Sequence, residues 1–333
     1  MVARRKDTLQ LPKYALWLTL PPIFVFLGGD ILYGLLGWHD EFRVESLPPQ
    51  GWERIEAGLR AIVLTSFLLV MSVMIFIIVV MALELTTMFG PQMRKQLILG
   101  SLLIVGAVIV SFVITARTDL IPKMESYTGT GFFHEALSFP LAGDDIPASG
   151  NNKAVEASSV ARAGKSASLL STLRGLISVF QSLSLPCVAI LIMGTISTLA
   201  TGRNNAKTIF VIQRRRLQIY LNHSALYLAS GVIFLMAWLH WPTFLYESGS
   251  AGLKQYHFLI NAIGLYFGVN FSLVLLSYYM PVRILQRELF GDEAVDDGNQ
   301  AEAGLTVIKQ LLLLGAPVIA SAVPPLVDLI TSL

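Results

Sequence analysis

Charge is scarce in this chain. Of its 333 residues only 14% are Asp, Glu, Lys or Arg, where a soluble domain carries about 25%. That shortage argues against a water-soluble fold. The positive surplus is small too, +2 at neutral pH, which removes the basic field needed to hold nucleic acid. The single cysteine, Cys187, stands in the apolar run LPCVAILIMG. A lone thiol forms no disulfide within the chain, and in such a run it behaves as a small buried hydrophobe. Short alternating segments, the mark of a transmembrane barrel, are missing as well.

Several chemistries also lack their residue sets. HEALS at His134 begins like a zinc-protease helix, but no second His stands four residues on. AGKSAS ends like a phosphate-binding loop, yet Ser159 occupies the place of its first glycine. Lys309 lies near one end of the last apolar segment, and the third segment offers no acidic counter-ion for a retinal-type Schiff base. No nucleophile–base set can be placed, so the reading leans away from an enzyme and assigns no metal, cofactor or catalytic residue.

What the chain does have is apolar runs, 54% hydrophobic residues overall, gathered into stretches near the length needed to cross roughly 30 Å of hydrocarbon. They fall at about 14–37, 61–84, 97–116, 174–200, 224–246, 257–281 and 305–330. The predicted fold class is all-α, a polytopic transmembrane helical bundle of about seven spans (3+1+3) in a single integral membrane domain. The first run follows MVARRKDTLQLPK without a small-x-small cleavage site, so it reads as a retained span. The last carries Pro317, Pro324 and Pro325 and reads as broken or re-entrant.

Lys and Arg near the span ends set orientation. Arg4, Arg5, Lys6, Lys13, Arg94, Lys95, Arg203, Lys207, Arg214, Arg215, Arg216, Arg283, Arg287 and Lys309 fall on one side, 14 of the 24 Lys and Arg, against 10 on the other. The richer side is the cytoplasm of a bacterial-type inner (plasma) membrane, and the amino terminus lies there. Residues 117–168 are then an extracytoplasmic loop. Residues 282–303, which turn acidic at GDEAVDDGNQAEAG, form a solvated cytoplasmic connector.

Polar residues inside the spans are the candidates for function. In FVFLGGDILYGLLGW, Asp30 shares a stripe with Tyr33, Gly34 and Gly37. An ionisable group in a span is a site hypothesis by default, although near the outer end it can simply be hydrated. Ser168, Ser171, Arg174, Ser178 and Gln181 fall within an arc of about 140°. They line either a water-filled vestibule or a helix standing above the membrane. The sixth span has two polar edges: Asn261, Gly264, Gly268 and Ser272 on one, Tyr266, Asn270 and Ser277 on the other. Both of its faces should meet protein or water, with Gly264 and Gly268 serving close packing. The second span reads as lipid-facing, with Glu84 reaching headgroup water. In WLHWPTF, His240 sits between Trp238 and Trp241 as in an interfacial aromatic cluster.

Asp30, Arg174, Ser178, Gln181, His240 and Asn261 are thus the expected binding residues of one outward-opening polar cavity. Asp30 and Arg174 have opposite signs and comparable depth, and form either part of that cavity or a structural ion pair. The basic run RRRLQIYLNH anchors topology, and Arg214, Arg215 and Arg216 are expected to bind anionic headgroups, or to dock a cytoplasmic protein partner. Two function classes stay open. One is channel-like or facilitated passage of a small solute or ion through the bilayer. The other is a non-transporting subunit, anchor or membrane-perturbing effector that acts with a protein partner or as a homo-oligomer.

Overall fold

The computed structural model describes residues 11–12, 14–35, 52–118, 152–201, 206–246, 249–290 and 309–322. Within them, side chains are described except at 30–35, 52–53, 85–86, 88, 111–118, 152–174, 206–208 and 245. Among the described residues there is no β-strand. A 3-10 turn (Ala15–Thr19) leads into α1 (Leu20–Leu35), followed by α2 (Trp52–Met88) and α3 (Pro91–Thr118). Then come α4 (Asn152–Ser197), α5 (Ala206–His240), a second 3-10 turn (Trp241–Leu245) and α6 (Ala251–Phe290). A last helical segment, α7, covers 309–322.

Helices α2 to α6 each contain a stretch long and apolar enough to cross a membrane, and Ala15–Gly29 is a shorter apolar helix. The chain is therefore an all-α integral membrane bundle. The far parts of the first and last expected spans lie outside the described residues. Helices α2 to α6 extend past the hydropathy limits, most of all at the starts of α4 (Asn152) and α5 (Ala206) and at the close of α6 (Phe290). Hydropathy marks only the part of a helix that sits in lipid. The Ala-, Lys- and Glu-containing stretch before α4's apolar run holds strong helix formers, which extend the helix beyond it.

Prolines sit both in the first turns of helices and inside them. Pro21, Pro22 and Pro91 occupy first turns, whose N–H groups lack intrahelical acceptors in any case. Pro186 and Pro281 lie inside α4 and α6.

Specific pairs define the packing. Glu56 meets Trp241 and Glu84 meets Arg216, so α2 runs antiparallel to α5. Ser184 meets Tyr227, and the Ala200 carbonyl meets Gln213, so α4 is also antiparallel to α5. Tyr256 reaches Leu239 on α5, and Gly264 touches Met236. Arg283 meets Gln310 while Gly268 abuts Ser321, so α7 returns antiparallel to α6. α3 packs mainly on α4, and α1 on α6. Helix α6 thus touches α1, α4, α5 and α7.

α2 shows how an apolar helix divides its surface. Val63, Phe67, Val70, Met74, Ile77 and Met81, spaced four and three apart, are buried against the bundle. Leu64, Leu68, Ile75, Val79 and Leu83 stay exposed on the opposite side. In a soluble protein such a face would be a large unpaired patch. In a bilayer it meets lipid tails at no cost. Cys187 is fully buried in the same core as Ile77, Met81 and Ile192.

Candidate functional site

The polar interior concentrates at two ends of the bundle. One, the arginine end, holds the close of α2, the close of α4 and the early turns of α5. The other, the tryptophan end, holds the start of α2 and the junction of α5 with α6.

At the arginine end the centre is Arg216. Its neighbours Arg214 and Arg215 are exposed, but Arg216 is only 7% exposed. A turn of 100° per residue puts Gln213, Arg216 and Tyr220 on one face, and that face is pressed onto α2. Arg216 Nε donates to Glu84 Oε1 at 2.7 Å, Nη1 to Gln213 Oε1 at 3.0 Å and Nη2 to the Tyr220 hydroxyl at 2.7 Å. The Tyr220 hydroxyl in turn donates to Glu84 Oε2 at 2.7 Å. The guanidinium also stacks over Phe89, 4.8 Å from the ring centre. Glu84, expected in headgroup water, is instead the partly buried counter-ion of this arginine. The reason is long-range: α2 and α5 bring the two charges to the same depth, and pairing offsets the desolvation each would suffer alone. Of the three arginines assigned to headgroups from sequence, Arg216 is turned inward.

The close of α4 is tied into the same end. A helix terminus leaves its last carbonyls without intrahelical donors. Here the chain tightens into 3-10 bonds from Thr198, Leu199 and Ala200, and two glutamines from neighbouring helices lie within 3.4 Å of the remaining oxygens. Gln213 Nε2 donates to Ala200 O, and Gln286 Nε2 to Thr198 O. Both glutamines are buried. Sequence reasoning missed this arrangement. The signal it had was the 213–216–220 spacing, masked by reading three adjacent arginines as a single patch.

At the tryptophan end, Pro242 explains the change from α5 to a 3-10 turn. It has no N–H to continue the helix, and the Leu239 carbonyl accepts the Tyr256 hydroxyl at 2.8 Å. Trp241 is fully buried, and its Nε1 donates to Glu56 Oε1 at 3.2 Å. Arg60 lies 3.5 Å from the other oxygen of Glu56. Trp238, Trp241 and Phe244 pack in series with tilted rings, and Tyr246 stacks on Tyr256. Trp241→Phe keeps the ring volume in part and removes the donor to a carboxylate. It should cost about 1.5 kcal/mol, read as a lower unfolding midpoint in detergent. An unchanged midpoint would show that the indole N–H is immaterial.

The six expected binding residues are placed as follows. The side chains of Asp30 and Arg174 lie outside the described residues, as do those of Ser168 and Ser171. Ser178 and Gln181 are exposed on α4, and Ser182 Oγ donates to the Ser178 carbonyl at 2.7 Å. His240 is half-buried; its Nδ1 sits 2.8 Å from the Met236 carbonyl, and its ring lies 5.9 Å from that of His257. Asn261 stands one helical turn beyond His257, and its Oδ1 is buried without a hydrogen bond from the described residues. His240 thus lies beside His257, which shares a face of α6 with Asn261.

Between the two ends, the Ser184 and Tyr227 hydroxyls bond at 2.8 Å across α4 and α5. Asn270 is buried on α6 against Gly29 of α1, whose carbonyl accepts the Tyr266 hydroxyl. No protein-family model matches this chain, and no curated protein or solved structure matches it.

Proposed function

We propose that this integral membrane protein provides a passage for a small solute or ion along the contact of α4, α5 and α6. One observation supports the reading: buried or half-buried polar side chains stand at both ends of that contact and at its middle. Gln213, Thr198 and Gln286 stand at one end, Ser184 and Tyr227 in the middle, and His240 and Asn261 at the other. Polar groups inside a membrane are costly and mark pathways more often than packing. On this reading the Glu84–Arg216 pair closes one end. The Lys and Arg bias puts that end in the cytoplasm, with an outward-opening cavity toward the other end and Asp30 and Arg174 at its rim.

Flux into liposomes tests it. The purified protein should admit small ions or neutral solutes faster than empty liposomes do. Ser184→Ala should change that flux severalfold while costing only about 1 kcal/mol of stability. Flux no greater than that of empty liposomes, from protein shown to be folded, would reject the passage.

A second reading, a non-transporting subunit acting with a partner or a second copy of itself, draws on a different observation. Ser178, Gln181 and Ser182 are exposed on one stretch of α4. An amide facing hydrocarbon is costly, and a protein neighbour would remove that cost. Co-isolation of one fixed partner with a flux-silent protein would favour this reading.

A further inference from the structure

We propose that Arg214, Arg283 and Arg287 form a binding site for the phosphate of an anionic phospholipid, where α5 and α6 meet at the arginine end. Tyr279, Arg283 and Arg287 follow one another at spacings of four and share a face of α6. Arg214, Gln218 and Asn222 likewise follow at spacings of four on α5, and Gln218 is tied to Arg283 through Gln310. Three cations thus lie at one junction of α5, α6 and α7. Among the described residues the ion pairs are Arg60–Glu56 and Arg216–Glu84, and neither draws on this cluster. Like charges brought this close repel one another unless an anion joins them.

The cluster is also built rather than merely exposed. Arg283 is half-buried and donates through Nη1 to Gln310 Oε1. Gln310 is buried; its Nε2 donates to Gln218 Oε1 at 3.0 Å, and Gln218 Nε2 donates to Asn222 Oδ1 at 3.2 Å. This relay of neutral amides fixes the guanidinium, and no ion pair among the described residues offsets its charge. Arg216, two residues past Arg214, shows the contrast, since Glu84 neutralises it. The planar fork of arginine matches the oxygens of a phosphate.

A free phosphate ion offers the same oxygens as a lipid headgroup, and the surroundings favour the lipid. Val211 lies one turn before Arg214 and Ile284 one turn before Arg287, on the matching faces, and both are exposed. Guanidiniums bordered by bare aliphatic side chains suit a molecule with a charged head and acyl tails. At about 1.5 Å per residue, α6 exceeds the hydrocarbon thickness of roughly 30 Å, so its last turns reach headgroup depth. The site takes Arg214 from the basic run and adds two arginines from another helix, with Arg215 beside it and Arg216 inside.

The test uses the full chain in nanodiscs of phosphatidylcholine doped with phosphatidylglycerol, with native mass spectrometry of the extracted protein. The wild type should retain phosphatidylglycerol. Each surface arginine contributes about fivefold to anionic-lipid binding, so Arg283→Gln with Arg287→Gln should lose roughly twenty-five-fold. Gln310→Leu, which frees Arg283 without altering charge, should weaken retention. Arg215→Gln, a basic residue outside the cluster, should lose far less than the double variant. Folding of each variant is checked by size exclusion and near-ultraviolet circular dichroism. The proposal fails if the wild type keeps no anionic lipid, or if Arg215→Gln loses as much as the double variant. It also fails if inorganic phosphate displaces the lipid and protects the protein from heat equally well.

Discussion

Exchanging Arg216 for methionine should lower the stability of the folded protein by about 3–5 kcal/mol, the penalty for stranding one member of a buried ion pair. The substitution leaves the partly buried Glu84 carboxylate beside a thioether. It also strips Gln213 Oε1 of its donor and removes the cation stacked over Phe89. Arg216→Lys keeps the charge but loses the fork that serves Glu84, Gln213 and Tyr220 together, so it should fall between wild type and Arg216→Met. The decisive measurement is a double-mutant cycle. Glu84→Leu combined with Arg216→Met removes both charges and should recover most of the loss, because a well-packed apolar pair can match a buried ionic one. Unfolding by denaturant in a fixed detergent reads all four corners. An additive double variant, or an Arg216→Met penalty within about 0.5 kcal/mol of zero, would mean that the two groups do not depend on each other.

This pair shows where reading the chain residue by residue reaches its end. The helical class was plain from apolar runs, because span length is a local property. The close packing at Gly264 and Gly268 was equally plain, since small residues at that spacing have few other uses. Glu84 and Arg216 are different. They stand in separate spans, and nothing beside either one names its partner. The α4 stripe is open for a related reason. Periodicity places Ser178 and Gln181 on a common face, but whether that face meets water, lipid or protein depends on where α3 and α5 lie. In the fold, Cys187, Ala189 and Leu191 take the interior, and Ser178 and Gln181 remain at the surface. The His240–His257 contact had no signature at all in either helix alone, because His240 arrives from α5 and His257 from α6.

The glycines of α6 supply the other large effect, because identical substitutions there should have unequal costs. An alanine methyl at Gly264 would overlap Met236, but only its sulfur and terminal carbon closely. A thioether has three rotatable bonds and can swing aside, so Gly264→Ala should cost no more than about 1 kcal/mol. At Gly268 the methyl would overlap Ser321 Oγ and come within 2.9 Å of both the Pro317 carbonyl oxygen and Ser321 Cβ. Backbone cannot rotate away. α7 must translate off α6, and the contact between Arg283 and Gln310 at its other end would be strained with it. Gly268→Ala should therefore cost about 3 kcal/mol, the upper part of the range for overpacking. Adding Ser321→Gly removes the side-chain half of the clash and leaves the Pro317 carbonyl in place, so it should restore part of the loss and not all of it. The three variants are compared by unfolding in the same detergent. Equal penalties at 264 and 268 would show that α7 does not rest on α6 at Gly268. A full rescue by Ser321→Gly would show that the Pro317 backbone is not the obstacle.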